Sequence, residues 1–214
     1  MSTRRDGQET RQRLLEAASE IFAERGYHEA RVSDICEAAN AASGAVNYHF
    51  GSKERLYVEV WGWAWREIDR TAPIGGSNPE APAEERLRTL IRNLLYRILV
   101  HGTKSQAGRL LLQEMRDPVA AVRPLRKRLL RPTIEEFRRS IEEIGGMRLD
   151  ERAVQHCHMS VMHQCLAIGF RGGHKPPMLS GGKRFTRAEI DYLVEHVAAF
   201  SIGGIRAIGR GGSA

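Results

Sequence analysis

The sequence has few of the features that place a protein in a membrane or outside the cell. No run reaches eighteen apolar residues, so no membrane-spanning helix and no membrane partner are expected. The first ten residues lack the apolar stretch of a secretory signal. Three cysteines are too few for a disulfide framework, which together with the missing signal predicts a reducing, cytoplasmic location.

Motifs of common enzyme classes are also missing. The chain has no G-x-S-x-G nucleophile motif, no phosphate-binding loop and no dinucleotide fingerprint. The stretch "SGGK" at 180–183 is glycine-rich but lacks the upstream half of a phosphate loop. We therefore expect no enzyme, no catalytic residue and no cofactor.

Strand-like alternation of apolar and polar residues is absent, whereas helical spacing of apolar residues is nearly continuous. This pattern predicts an all-α fold with a small N-terminal unit and a larger C-terminal bundle. Residues 71–83 are rich in glycine and proline and are interpreted as a linker. The predicted parts are a flexible arm at 1–9, an N-terminal helical domain at 10–56, a C-terminal helical domain at 57–208, and a tail at 209–214.

Capping residues and turn formers mark the expected helix ends. Ser52, Asp150 and Thr186 are expected N-caps, the last with Glu189 in a capping box. Gly26 and the pair at 145–146 are expected to end helices, and Asn40 to adopt a left-handed turn conformation. Pro118 is expected to open a long helix that Pro132 kinks or splits.

Two short helices joined by a tight turn are predicted between residues 31 and 50, with the stretch "NYHFGSKERLY" at the end of the second. Such a helix enters a DNA major groove only if its outward side chains are small or form hydrogen bonds. Asn47 suits an adenine edge, Ala45 suits a thymine methyl group, and His49 and Lys53 suit phosphates. The expected DNA-binding residues are Arg31, Ser43, Gly44, Ala45, Asn47, Tyr48, His49, Ser52 and Lys53.

The stretch "RLLEAASEIFAERGYHEARVSDICEAANAASGAVNYHFGSKERLYVEV" resembles the DNA-binding domain of TetR family transcriptional regulators. The downstream segments "LLLQEM", "RPTIEEF", "HQCLA" and "FSIGGIRAI" are similar to the CecR-like subgroup. The resemblance implies a homodimer on a palindromic double-stranded operator, released by a small-molecule effector. It also implies base contacts from residues 43, 45, 47 and 48, and backbone contacts from His49 and Lys53.

Two positions depart from the family pattern. Arg31 stands where Thr or Ser usually precedes the second helix, and Ala42 stands where Ser or Asn usually opens the third. Each change removes a cap worth about 1 kcal/mol. We expect Arg31 to reach a phosphate instead, and Ser43 to cap the third helix one residue later.

Several residues downstream have two interpretations. Trp61 and Trp65 indicate either core packing or the wall of an effector pocket, and Gln113 and Glu114 either a solvated helix edge or polar groups in that pocket. The three His and two Cys of "HCHMSVMHQC", residues 156–165, lack the i,i+3 or i,i+4 pairing that one helix needs to chelate a metal. We expect interface or pocket residues there and no metal site. The effector-pocket set is Trp61, Trp65, Gln113, Glu114, His158, Met162, His163 and Gln164.

The last helix has an uninterrupted apolar stripe, which predicts a two-fold symmetric dimer built on the last two long helices. The expected interface residues are Ile190, Leu193, Val194, Val197, Ala198 and Ile202.

Net charge does not identify the helix-turn-helix, the pair of short helices predicted at residues 31–50, as a DNA-binding surface. The formal net charge is +7, but residues 1–55 hold eight Lys or Arg against nine Asp or Glu. The alternatives are a helical ligand sensor or scaffold without operator binding, which the two lost caps favour, and an enzyme without a recognised motif. The effector, the operator sequence and the choice between repressor and activator are not encoded in any recognisable pattern.

Overall fold

The computed structural model describes residues 2–102, 104–146, 149–169 and 183–211, leaving aside the side chains of 2–5 and 169. The described chain folds into nine α-helices and confirms the all-α prediction. Among these residues, no helix is long and apolar enough to cross a membrane. The helices are α1 (Ser2–Glu29), α2 (Val32–Ala38), α3 (Ala45–Phe50), α4 (Lys53–Thr71), α5 (Ala83–Tyr96), α6 (Gln106–Arg116), α7 (Arg123–Gly145), α8 (Glu151–Gly169) and α9 (Arg187–Gly211).

The chain divides into two compact units. The first comprises Met1–Arg70 and Lys104–Arg128, and the second comprises Thr71–Thr103 and Leu129–Ala214. This grouping differs from the predicted boundary between residues 56 and 57, because the rest of α4 and all of α6 go with the N-terminal helices. Because a compact unit and a functional domain need not have the same limits, the predicted domain bounds 10–56 and 57–208 stay a prediction.

In the first unit, α1 packs against α2 and α6. Leu14, Ala18 and Phe22 lie at helical spacing on one face of α1 and are fully buried. The core is completed by Ile35 of α2, Val46 of α3, Leu56 and Tyr57 of α4, and Leu110 of α6.

In the second unit, α5 packs against α8 and α9, and α8 packs against α9. The apolar face of α5, with Leu87, Leu90, Ile91 and Leu94, is buried as its spacing predicts. After α5, residues Arg97–His101 continue as a π-helical turn. The linker is irregular between Thr71 and Ala83, and Glu136 of α7 accepts hydrogen bonds from the backbone amides of Gly76 and Ser77 at 3.1 and 2.9 Å.

Most predicted helix ends are confirmed. Ser52 Oγ accepts a hydrogen bond from the Arg55 amide (3.2 Å), and Asp150 Oδ1 from the Ala153 amide (2.7 Å). The Thr186–Glu189 capping box forms in both directions, at 3.3 and 2.8 Å. Asn40 has a φ of 47°, in the left-handed region, as do the helix-ending Gly51 and Gly146 with φ of 80° and 74°.

Several predicted boundaries are wrong. Helix α1 begins at Ser2, so the segment expected as an arm is helical, and it continues to Glu29 across a non-helical Gly26. A 3₁₀ turn, Ala120–Val122, precedes α7, so Pro118 does not open that helix. Pro132 lies inside α7 and does not split it, so the predicted split is wrong, while the predicted kink stays a prediction. Helix α9 includes Gly209–Gly211 of the expected tail, and residues 212–214 lie outside the described part.

Candidate nucleic-acid interface

Helix α3 is held by buried residues and presents polar residues outward. Val46 and Phe50, four residues apart, are 0% and 5% exposed and fix one face of the helix in the core. On the other face, Asn47 is exposed and Tyr48 is 86% exposed. Because the packing fixes the helix, an amide and a phenol are presented to solvent in a set orientation, as major-groove contact requires.

The turn before α3 differs from the prediction. The helix begins at Ala45 after Gly44 and has no side-chain cap, so the expectation that Ser43 caps it is wrong. Ser43 and Gly44 lie in the turn, both exposed, and the Ser43 carbonyl accepts a weak hydrogen bond from Cys36 Sγ at 3.7 Å. Ala45 is 9% exposed, so the expectation that its methyl group faces outward is wrong.

The residues expected at phosphates lie around this helix. Arg31 is exposed, extended (φ −102°, ψ 142°) and gives α2 no side-chain cap, and its guanidinium has no ion pair among the described residues. The Lys53 ammonium lies 4.5 Å over the Tyr27 ring and donates to the His28 carbonyl at 3.5 Å. Burial lowers the pKa of Lys53. Lys53 therefore lies beside the end of α1 rather than fully in solvent.

Arg11 braces the C-terminal end of α3, which the sequence pattern did not reveal. Its guanidinium lies 4.7 Å over the Phe50 ring and forms an ion pair with Glu59 of α4. Arg11 and Glu59 are 48 positions apart, and neither belongs to a recognisable motif. This contact ties α1, α3 and α4 together at the C-terminal end of α3.

Glu114 is a buried carboxylate with several donors. It is 1% exposed and accepts hydrogen bonds from the Tyr57 hydroxyl (3.1 Å), the Val119 amide (3.2 Å) and Arg126 (2.8 Å). Burial raises its pKa, although these donors oppose the shift. The expectation of a solvated helix edge is therefore wrong for Glu114, which ties α4, α6 and α7 within the first unit.

The Glu114 partner Tyr57 joins an aromatic cluster beneath the helix-turn-helix. Its ring lies 4.9 Å from Phe22 in an edge contact and 5.0 Å from Tyr27. Burial and the neighbouring carboxylate raise the pKa of Tyr57. A carboxylate on α6 is thus bonded to a side chain that packs directly on α1.

A second contact between α1 and α6 lies at Gly26. An ideal Cβ on Gly26 would stand 2.6 Å from Nε2 of Gln113, so the half-buried amide of Gln113 covers this glycine closely. Two residues on, His28 Nε2 lies 3.7 Å from an Asp117 carboxylate oxygen. The C-terminal end of α6 therefore packs on the C-terminal end of α1, next to Lys53.

The residues predicted to line an effector pocket fall in both units. In the first unit, Trp61 is 2% exposed and stacks on Trp65 with ring centroids 5.7 Å apart. The buried Trp61 Nε1 has no hydrogen-bond partner among the described residues. Core packing therefore holds for the Trp61 ring, while its N–H is left without an acceptor.

The other four pocket candidates lie on α8 in the second unit. His158 is half-buried with its ring 5.4 Å from Phe137, and burial lowers its pKa. Gln164 donates to the Ser160 carbonyl (3.2 Å) and to Ser201 Oγ (3.3 Å). Met162 is half-buried and His163 is exposed. Whether the two groups of candidates form one pocket stays a prediction.

The predicted dimer stripe on α9 is buried within a single chain. Ile190, Val194, Val197, Ala198 and Ile202 are all between 0% and 5% exposed, and Leu193 is half-buried. Helix α9 packs against α5 and α8 of the same chain, so these residues belong to the core and the prediction that they form the dimer interface is wrong. The large exposed hydrophobic residues described on α8 and α9 are Met159, Tyr192, Phe200 and Ile208, with 52%, 76%, 68% and 49% exposed.

Comparison with known proteins places this arrangement in a family. The sequence model of the tetR family of bacterial regulatory proteins matches residues 14–60, and that of the C-terminal domain of the HTH-type transcriptional dual regulator CecR matches residues 83–205. The HTH-type transcriptional regulator AcrR of Shigella flexneri is 36% identical over 59 residues, 28% of this chain and 27% of AcrR. UidR of Escherichia coli (strain K12) is 45% identical over 55 residues, 26% of this chain and 28% of UidR.

The alignments with these curated relatives therefore span only about a quarter of the length of each relative. Solved structures extend the likeness of fold to most of the chain. A TetR-like transcriptional regulator from Rhodococcus sp. RHA1 superposes with a TM-score of 0.62 at 20% identity, covering 91% of this chain and 96% of its own. AibR, solved with isovaleryl coenzyme A and operator DNA, gives a TM-score of 0.59 at 18% identity, covering 91% and 97%. The chain belongs to the TetR family of transcriptional regulators, with a C-terminal domain of the CecR type.

Proposed function

We propose that this protein is a transcriptional repressor that binds a palindromic operator as a homodimer and is released by a small-molecule effector. The observation that carries the proposal is α3, a short helix fixed by Val46 and Phe50 with Asn47 and Tyr48 exposed on its outer face. Arg31 precedes α2, His49 lies within α3 and Lys53 begins α4, and these three residues are proposed to contact phosphates. The sequence model of the tetR family matches residues 14–60, which include α3, and this match supports DNA binding by the region.

Selection of DNA fragments by the purified protein tests operator binding directly. A palindromic consensus with half-sites about one helical turn apart is expected. Asn47→Ala is expected to relax base preference and cost about 1–3 kcal/mol per half-site, whereas Arg31→Ala weakens binding to all sequences and lowers the salt dependence. Equal losses on selected and random DNA for both variants would contradict the division between base and phosphate contacts.

The dimer is proposed to form through the outer faces of α8 and α9. The originally expected stripe is core, whereas Met159, Phe200 and Ile208 are large, apolar and exposed. A groove of about 210 Å³ lies between the two helices, lined by Val161, Phe200 and Ile208 among others. Exposed apolar surface of this kind is typical of an association face.

Phe200→Asp is expected to convert a dimer into a monomer in multi-angle light scattering at micromolar concentration. The matched control is Ile134→Asp on α7, which is 40% exposed and lies away from α8 and α9 in the chain. A monomeric wild type, or a Phe200→Asp variant that dimerises like the control, would refute this interface.

An effector site beside Trp61 is supported by its orphaned indole N–H, because a buried donor without an acceptor costs about 1–3 kcal/mol. A bound ligand with an acceptor atom would recover that energy. AibR was solved in complex with isovaleryl coenzyme A and operator DNA, so one protein of this fold binds both a small molecule and DNA. We propose a small apolar or amphipathic effector for this chain.

Trp61→Phe keeps the ring but removes the donor. In a screen of small amphipathic compounds scored by tryptophan fluorescence and operator release, Trp61→Phe should weaken binding, whereas Trp63→Phe, at an exposed neighbour, should not. By linkage, operator DNA must weaken ligand binding by the same factor. A compound that binds at Trp61 yet leaves operator affinity unchanged would refute release by this site.

A further inference from the structure

The positive charge of the first unit is concentrated outside its helix-turn-helix. Residues 1–70 hold ten Lys or Arg against twelve Asp or Glu, a net charge of −2. Residues 104–128 hold seven Lys or Arg against two acidic residues, a net charge of +5. The excess positive charge of this unit therefore lies on residues 104–128, mainly on α6 and the start of α7, and not on α3. Positive charge is the feature that attracts a protein to the DNA polyanion.

Three of these cations are exposed and unpaired. Arg123, Lys127 and Arg128 lie in the first two turns of α7, and none has an ion pair or hydrogen bond among the described residues. Arg126 differs, because its guanidinium is bonded to Glu114. No acidic residue occurs between positions 123 and 131, so no neighbour on the helix neutralises the three. We call Arg123, Lys127 and Arg128 the α7 basic cluster.

Two observations relate the position of this cluster to the expected DNA surface. Asp117, six residues before Arg123, lies 3.7 Å from His28, whose carbonyl accepts a hydrogen bond from Lys53. Six residues span at most about 20 Å even when fully extended, which limits the distance from Asp117 to Arg123. In addition, Arg128 lines the same groove of about 1250 Å³ as Arg11, whose guanidinium lies over Phe50 at the end of α3.

We propose that the α7 basic cluster is an auxiliary phosphate-binding surface that contacts the DNA backbone flanking each operator half-site. This inference rests on the proposed DNA-binding function. Double-stranded DNA carries one negative charge per about 1.7 Å of axis and continues beyond the operator, so flanking phosphates are available to a cation beside the recognition unit. The cluster adds affinity for any sequence and does not read bases.

The expected effect is large in a salt titration. Each phosphate neutralised contributes about 0.9 to the slope of log Kd against log salt, so three contacts per subunit give roughly 5 in a dimer. Because the contacts are to flanking phosphates, the effect requires duplex beyond the operator.

The test compares two triple variants with the same charge change. Arg123→Ala/Lys127→Ala/Arg128→Ala removes the cluster, and Arg139→Ala/Arg152→Ala/Arg187→Ala removes three exposed arginines of the second unit. Kd is measured from 50 to 300 mM KCl on two duplexes. The long duplex carries the selected operator with fifteen flanking base pairs on each side, and the short duplex carries the operator alone. The cluster variant should lose about 5 from the slope on the long duplex, and little on the short one, while the control keeps the wild-type slope.

An equal slope for the two triple variants on the long duplex would overturn the proposal. So would an equal loss for the cluster variant on both duplexes. Circular dichroism checks that each variant is folded. Lys127→Ala alone is a milder second variant, and its salt slope should fall by about a third of the loss seen in the triple variant. If the wild type selects no sequence, the operator function fails, and the same comparison on random duplexes of two lengths still decides whether the cluster binds phosphates.

Discussion

Gly26 of α1 lies against the Gln113 side chain of α6, and the cost of replacing it by alanine can be calculated. Its φ of 75° and ψ of 177° lie in a region that only glycine populates readily. Forcing an L-residue into it costs about 1–3 kcal/mol. The new Cβ would also stand 2.6 Å from Nε2 of Gln113, but that amide is the end of a flexible side chain and can rotate away. We expect Gly26→Ala to lower the free energy of unfolding by about 1–3 kcal/mol, mostly through backbone strain.

The matched control is Gly7→Ala in the same helix, where a Cβ meets nothing within 4 Å. It should be neutral or gain up to about 1 kcal/mol. Chemical denaturation followed by far-ultraviolet circular dichroism measures both variants, and Gly26→Ala/Gln113→Ala separates strain from steric clash. A Gly26→Ala variant as stable as the wild type would refute the strain argument, and full recovery of stability in the double variant would show that the clash dominates.

Three further predictions concern titration and capping. The pKa of Glu114 is raised in the folded chain, so its contribution to stability is complete below about pH 4.5 and is lost as the pH rises through its pKa in the folded state. Glu114→Gln should therefore flatten this part of the curve of unfolding free energy against pH. An unchanged curve would contradict this prediction. The pKa of His158 is lowered, so its contribution is present above about pH 6.5 and lost on acidification, and His158→Gln should reduce the acid loss in urea denaturation at pH 7 and 5. Ser52→Ala should cost about 1 kcal/mol by loss of the α4 cap, whereas Ser43→Ala, which caps nothing, should cost little; similar losses in both would show that the cap is not the cause.

Local signals in the sequence were sufficient for most helix ends. The capping roles of Ser52, Asp150 and Thr186 depend only on residues within three positions, so they could be predicted without knowledge of the fold. The turn at Asn40 likewise follows from one residue type. The end of α1 was harder, because the helix resumes after Gly26 for three residues.

Predictions that depended on distant partners failed or were missed. The α9 stripe was assigned to a dimer seam because periodicity shows that a face is apolar but not what covers it, and α5 and α8 cover Val194 and Ala198 in the same chain. Glu114 sits in an apolar run, yet its partner Tyr57 is 57 positions away. Arg11 and Phe50 likewise meet only through the tertiary fold.

The Tyr57–Glu114 hydrogen bond joins the two regions that separate family models recognise, residues 14–60 and 83–205. Tyr57 belongs to one inherited module and Glu114 to the other, although both lie in one folding unit. A chimera whose DNA-binding module came from this chain and whose sensor module came from a relative without an acidic residue at position 114 would keep the phenol and lose the carboxylate. Regulators assembled by exchange of such modules should tolerate the swap only if positions 57 and 114 change together.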